Sequence, residues 1–154
     1  MEKQYLVACG TDSEDGSFFT KNHFGESRWY DIWRVSPSGA AEKIDRIPNP
    51  ASQANEESHE HGHDEKKPGK IAPVLKKKGV SVIMGRSIGA NVVRMRRKFV
   101  VVVSRSEKTD EALAELRKRL SEVQELLDAG EERGHMILRR PGTKDPDSQK
   151  ERST

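Results

Sequence analysis

The sequence predicts an α/β domain on a mixed sheet: an antiparallel meander followed by parallel strands, with flanking helices. Three observations predict it. The first third carries strand-like segments separated by turn signals. Two continuous apolar runs, Val80–Met84 and Phe99–Val103, have the length and composition of strands buried on both faces, and segments of helical character adjoin them. A three-four-three-four spacing of Leu113, Leu116, Leu120, Val123 and Leu127 then marks one long helix. The expected order is β-β-β-α-β-α-β-α.

In chain order, Tyr5–Cys9 reads as a buried strand and Gly10–Ser17 as a turn-rich acidic loop. Trp29–Val35 has strand propensity, Ser36-Pro37-Ser38-Gly39 is a turn signal, and Ala41–Ile47 is the returning strand of a hairpin. Residues 48–69 hold prolines, acids and histidines without apolar periodicity, and a loop of that length is functional or disordered. Lys70–Lys78 is a short helix that Pro73 confines to a start near Ala72. Ile88–Lys98 is the second helix. Thr109 caps the long third helix, Asp110 and Glu111 suit its positive end, and Gly130 stops it. The domain is expected over residues 1–130, with a disordered histidine-rich loop near 48–69. Residues 131–154 are expected to form a polar, disordered tail, most plainly beyond Pro141.

A chain of 154 residues has room for one domain. Its 32% hydrophobic and 34% charged content is too polar for uniform folding, so a compact core with disordered stretches is expected. The net charge of +3 tolerates an anionic partner without requiring one. The N-terminus enters a strand pattern at once, with no signal-peptide pattern, and the longest apolar run is far too short to span a bilayer. A cytoplasmic protein with no membrane partner is expected. The single cysteine, Cys9, excludes an intrachain disulfide and a four-thiolate site built by one chain. A metal held here must lean on histidine, carboxylates, backbone groups or its own ligands.

Three segments carry chemistry. In His23-Phe24-Gly25 a neutral imidazole suits iron, nickel or zinc, and glycine lets backbone approach a bulky ligand. The alternative is a loop histidine that bonds a carbonyl and holds a turn. His59, His61 and His63 alternate beside Asp64, which in an extended chain sets the rings on one side, roughly 6–7 Å apart. They are spaced unlike a zinc finger or ribbon, so a solvated linker that binds divalent metal weakly stays open beside a dedicated site. Gly85-Arg86-Ser87-Ile88-Gly89-Ala90-Asn91 follows a strand and opens a helix, where free N–H groups and the Arg86 fork favour an anion. It is neither a Walker loop nor a dinucleotide fingerprint. A tight glycine turn is the alternative, and the two are compatible. Cys9 is a minor thiolate candidate, since a lone cysteine in an apolar strand is more often buried and inert. The basic clusters Lys76–Lys78 and Arg94–Lys98 suit an acidic partner or are solvated helix faces. With aromatics at 5% and none interleaved among these charges, nucleic acid is disfavoured.

These residues resemble the dinitrogenase iron–molybdenum cofactor biosynthesis family, the small NifX and NifB C-terminal-like domains. The resemblance covers roughly residues 4–116. It rests on the first strand, His23-Phe24-Gly25 before an aromatic strand containing Asp31, Asn49-Pro50 after the third strand, the histidine-bearing loop, and Val80–Met84 leading into Gly85–Asn91. It implies an RNase H-like fold, a role related to nitrogen fixation, carriage of iron–sulfur or iron–molybdenum cluster precursors, and His23 as a cluster ligand. The chain departs from the family in Arg94, Arg96 and Arg97, where relatives are alanine-rich, in its long last helix and in its extra tail. The implied fold raises the question of nuclease activity. Asp12, Asp31 and Glu42 form no recognisable two-metal set, so phosphodiester hydrolysis is disfavoured.

The expectation is a non-catalytic carrier or chaperone of an iron–sulfur or iron–molybdenum-type cluster, working with a cluster donor or acceptor protein. His23, Phe24, Gly25, Gly85, Arg86, Ser87, Gly89 and Asn91 would contact the cargo, and His23, His59, His61 and His63 would bind metal. The alternatives are a zinc, nickel or iron binder using only the histidine loop, and a basic interaction module. The leucine stripe spans about 21 Å at 1.5 Å per residue, so a homodimer through the last helix, at its Val123–Leu127 end, is a further expectation.

Overall fold

The computed structural model describes residues 3–50, 67–89 and 92–139. The histidines at 59, 61 and 63, Asn91 and the segment beyond 139 lie outside the described residues. The strands are β1 (Tyr5–Thr11), β2 (Trp29–Val35), β3 (Glu42–Pro48), β4 (Val82–Gly85), β5 (Val100–Ser104) and β6 (Met136–Leu138). The helices are α1 (Lys67–Lys77), α2 (Val92–Lys98), α3 (Thr109–Arg117) and α4 (Leu120–Asp128), with 3-10 turns at Phe24–Glu26 and Gly130–Glu132.

One sheet runs β3-β2-β1-β4-β5-β6. β1 pairs antiparallel with β2 from Tyr5↔Val35 to Thr11↔Trp29, and β2 pairs antiparallel with β3. β1–β4, β4–β5 and β5–β6 are parallel. The α/β class and the mixed sheet, antiparallel then parallel, are therefore as the sequence predicts.

Strand alternation divides the core in two. Tyr5, Val7 and Cys9, Val82 and Met84, and Val100 and Val102 turn to one face, where Leu113, Leu116, Leu120 and Val123 of α3 and α4 cover them. Ala8, Ile83 and Val101 turn to the other face, under Ile71 and Leu75 of α1 and Met95 of α2. Burial on both faces is why the central strands read as unbroken apolar runs.

Four expectations are corrected. α1 starts at Lys67 and runs through Pro73, which is exposed, so solvent can take the carbonyl that the proline ring leaves without a donor. The long helix is two. Lys118 N–H turns back to Glu115 O and Arg119 N–H to Leu116 O, tightening the chain to i−3 bonding, and Arg119 leaves helical geometry at φ −123° and ψ 28°. The apolar spacing continues through this bend, so periodicity cannot reveal it. β6 lies beyond residue 130, inside the expected tail. Its Met136 and Leu138 are buried against β5, but three residues are too few to make a strand signal. Finally, the stripe is core: Val123 has no exposed surface and Leu127 packs against the same cluster. The bend lays both half-helices on the sheet, so their apolar face is not free to form a dimer seam. Among the described residues no helix is long and apolar enough to cross a membrane.

Candidate functional site

The first and third motifs meet at the C-terminal end of β4. His23 leads into the 3-10 turn, and the Phe24 N–H donates to Ser87 O at 2.8 Å, stitching that turn to the loop after β4. The His23 ring is exposed, and its Nδ1 lies 2.7 Å from Ser87 Oγ. Nε2 has no hydrogen-bond partner among the described residues. Gly89 has φ +85°, a left-handed conformation that glycine accepts without strain. A Cβ there would stand 3.0 Å from His23 Cγ and 3.2 Å from Cδ2, so the ring rests on a surface that only glycine leaves open.

Beneath the histidine the turn is anchored by buried groups. Phe24 is buried, with its ring centroid 4.9 Å from that of Tyr30. It fits because position 10 is glycine; a Cβ there would collide with Ser27 Oγ and press on Phe24. The Phe24 carbonyl accepts from Tyr30 OH and from Ser27 Oγ, each at 2.8 Å. Asn49 Nδ2 donates to Gly25 O at 2.9 Å and Ser27 O at 2.7 Å, while its own N–H reaches Arg28 O. Asn49 is buried, so one amide side chain satisfies carbonyls that would otherwise be stranded. At Gly25 nothing lies within 4 Å of where a Cβ would stand, so the protein's own packing does not require glycine there.

The remaining candidates sort clearly. Arg86 is exposed and reaches Glu107 Oε1 at 3.4 Å, so its guanidinium is shared with a carboxylate. Cys9 is fully buried on the face of the sheet opposite Phe24, and burial, reinforced by the Asp31 carboxylate, pushes its thiol far above the ordinary range. It is not available as a thiolate to this site. His135 is exposed just before β6, at the sheet edge.

The carboxylates weighed for two-metal chemistry are each engaged separately. Asp12 accepts from Thr20 Oγ1 at 2.6 Å and from the Arg28 N–H at 2.9 Å. Glu42 pairs with Arg34. Asp31 is buried, accepts from Arg46 Nε at 2.7 Å and from Thr11 Oγ1 at 2.9 Å, and Arg46 continues to the carbonyls of Ser13 and Glu14. That pair straps the acidic loop onto the sheet. Among the described residues there is no group of three or more His, Cys, Asp and Glu side chains able to hold a metal ion.

Sequence reasoning singled out Ser87 and Gly89 as an anion seat and missed their contact with His23. It used Asn49 only as a motif match and missed its hydrogen bonds. Gly10, Ser27 and Tyr30 were not singled out either; a glycine near a strand end, a serine before a strand and a tyrosine within one are too common to stand out.

The fold and this turn define an α/β domain that presents the exposed His23 imidazole at the C-terminal end of β4. A family model described as dinitrogenase iron-molybdenum cofactor matches residues 3–119, and the chain belongs to that family. The match runs from β1 through α3 and stops where the helix bends, leaving α4 and β6 outside it. No curated protein and no solved structure matches the chain.

Proposed function

We propose that the chain is a non-catalytic carrier of an iron–sulfur or iron–molybdenum-type cluster, with His23 as the protein ligand to the cargo. One observation carries the reading: in a chain of this family, the exposed His23 ring is held through Nδ1 while Nε2 has no hydrogen-bond partner among the described residues. A cluster brings its own sulfide and further ligands, so a single imidazole suffices for transient holding where a bare ion needs several protein ligands. The glycine-bearing loop after β4, with Arg86, would favour an anionic cargo. His59, His61 and His63 would capture cargo or gate it. Donor and acceptor proteins that handle the cofactor are the implied partners. The RNase H-like label belongs to the same reading, supported by the β3-β2-β1-β4-β5 order with its antiparallel first three strands.

The test is anaerobic titration with a thiolate-capped synthetic [4Fe–4S] cluster, followed by absorbance and iron content. His23→Ala is expected to weaken binding at least tenfold with an unchanged circular dichroism spectrum. If His23→Ala binds normally and the triple change of His59, His61 and His63 to Ala does not, the histidine loop is the site. The divalent-metal reading then replaces this one.

A further inference from the structure

We propose that Ser87 is the positioning residue of His23: together with Gly89 it locks the imidazole so that Nε2 is the nitrogen offered to a metal centre. The inference rests on the reading of His23 as the cargo ligand and gives Ser87 a role that needs no contact with cargo.

An exposed histidine normally samples several χ1 wells and both faces of a broad χ2. It then spends little time in any one geometry and offers either nitrogen. His23 is exposed, yet one loop holds it at three points. The Phe24 N–H to Ser87 O bond fixes the backbone beside it. The 2.7 Å contact between Nδ1 and Ser87 Oγ fixes the ring's rotation, and with Nδ1–H donating to the hydroxyl oxygen, Nε2 keeps the lone pair that a metal takes. Gly89 supplies the wall: its hypothetical Cβ stands 3.0–3.3 Å from Cγ, Cδ2 and Cβ of His23. Turning the ring over would set Cδ2–H against Ser87 Oγ and lose the hydrogen bond. Leaving the site altogether would abandon the Gly89 surface as well. Ser87 and His23 are 64 residues apart, so the tertiary fold makes this contact rather than local chain geometry. Partners that orient a ligating imidazole through its second nitrogen typically change metal affinity about 10–100-fold when removed.

The experiment uses the full chain with His59, His61 and His63 changed to Ala, so that cargo binding does not report on the loop. In this background His23→Ala, Ser87→Ala, Ser87→Thr and Gly89→Ala are compared. Two quantities are measured: the Kd for the thiolate-capped [4Fe–4S] cluster, and the long-range proton–nitrogen spectrum of the histidine rings at a pH where they are neutral. In the parent chain the two nitrogen resonances of His23 should be well separated, with Nδ1 the protonated nitrogen, and a ring held with its proton on Nε2 would overturn the proposal. Ser87→Ala should draw them together and weaken binding at least tenfold while the thermal melt stays put. Ser87→Thr, which keeps the hydroxyl, should restore both. Gly89→Ala should weaken binding by displacing the ring. If His23→Ala binds as well as the parent, the carrier reading itself fails. If His23→Ala loses binding but Ser87→Ala keeps the parent Kd, positioning is overturned. It is also overturned if Ser87→Ala loses affinity with the ring spectrum unchanged, since Ser87 then touches the cargo directly.

Discussion

At the residue scale, buried side chains anchor the turn that carries the exposed His23, and Asn49 and Cys9 each make a separate expectation. Asn49 serves two carbonyls of the His23 turn with one amide. Asn49→Ala strands them, and an unsatisfied buried acceptor costs on the order of 1–3 kcal/mol. The denaturation midpoint should fall accordingly, and the Phe24 and His23 amide resonances should shift. A stable variant with unshifted resonances would mean that water replaces the amide. Cys9 yields a pH dependence. The native thiol stays protonated because it is buried against an apolar face near Asp31, whereas the unfolded chain ionises its thiol from about pH 8.5 upward. Above that pH the unfolded state binds fewer protons than the native state, so stability falls as pH rises, with a slope approaching about 1.4 kcal/mol per unit for this group. Tyr30, also buried and raised, adds a second loss nearer pH 10 and above. Urea midpoints at pH 8, 9 and 10 should decline, and Cys9→Ala should flatten the first part of the decline even though its cavity lowers the whole curve. The native thiol should also resist a disulfide reagent until the protein unfolds.

At the element scale, α3 and α4 act as one cover bent in the middle. Val123 has no exposed surface, so Val123→Glu buries an unpaired carboxylate and should abolish the cooperative melt, while Leu127→Glu at the half-buried edge should lower the midpoint modestly. If Val123→Glu melts like the native chain, α4 is not docked as described. The same elements show what the sequence makes legible. β1, β2, β4 and β5 are visible because each buries alternate residues on two sides, which leaves compact apolar or aromatic runs. The bend at Arg119 is invisible because Leu116, Leu120 and Val123 keep their spacing across it. β6 hides because a three-residue edge strand needs only Met136 and Leu138 to be apolar. Pro73 suggests a helix start because its ring removes a donor, yet on an exposed face that loss is tolerable. The site is half legible for a related reason. Short motifs name the residues that meet, but the Ser87 contact with His23 and the Asn49 donors are long-range geometry that no local pattern encodes.

At the scale of the whole molecule the sheet separates charge. Residues 67–98, which include α1 and α2, carry ten lysines and arginines and no acid, whereas residues 107–132, through α3 and α4, carry nine acids against four bases. The two helix pairs lie on opposite faces of the sheet. On the basic face the C-terminal ends of α1 and α2 crowd together. Lys76 sits 4.9 Å over the Phe99 ring, and its ammonium is pushed below the ordinary lysine range by desolvation first and then by Arg133 and Lys98. Arg133 is committed to carbonyls of Leu126 and Arg96, so it cannot turn away. The helix dipoles favour cations at these ends, which partly offsets the crowding. Repulsion should exceed that benefit at Lys98, because Arg96 and Arg97 already serve the end of α2. Lys98→Glu is therefore expected to stabilise the fold by a few tenths of a kcal/mol at low ionic strength, the usual scale for exposed pairs, and the gain should vanish by about 0.5 M salt as screening shortens the range of the field. Urea midpoints at the two salt concentrations read this directly. A midpoint that falls equally at both would show that the aliphatic stem of Lys98 matters more than its charge. An unchanged midpoint at low salt would show that the dipole and the repulsion cancel.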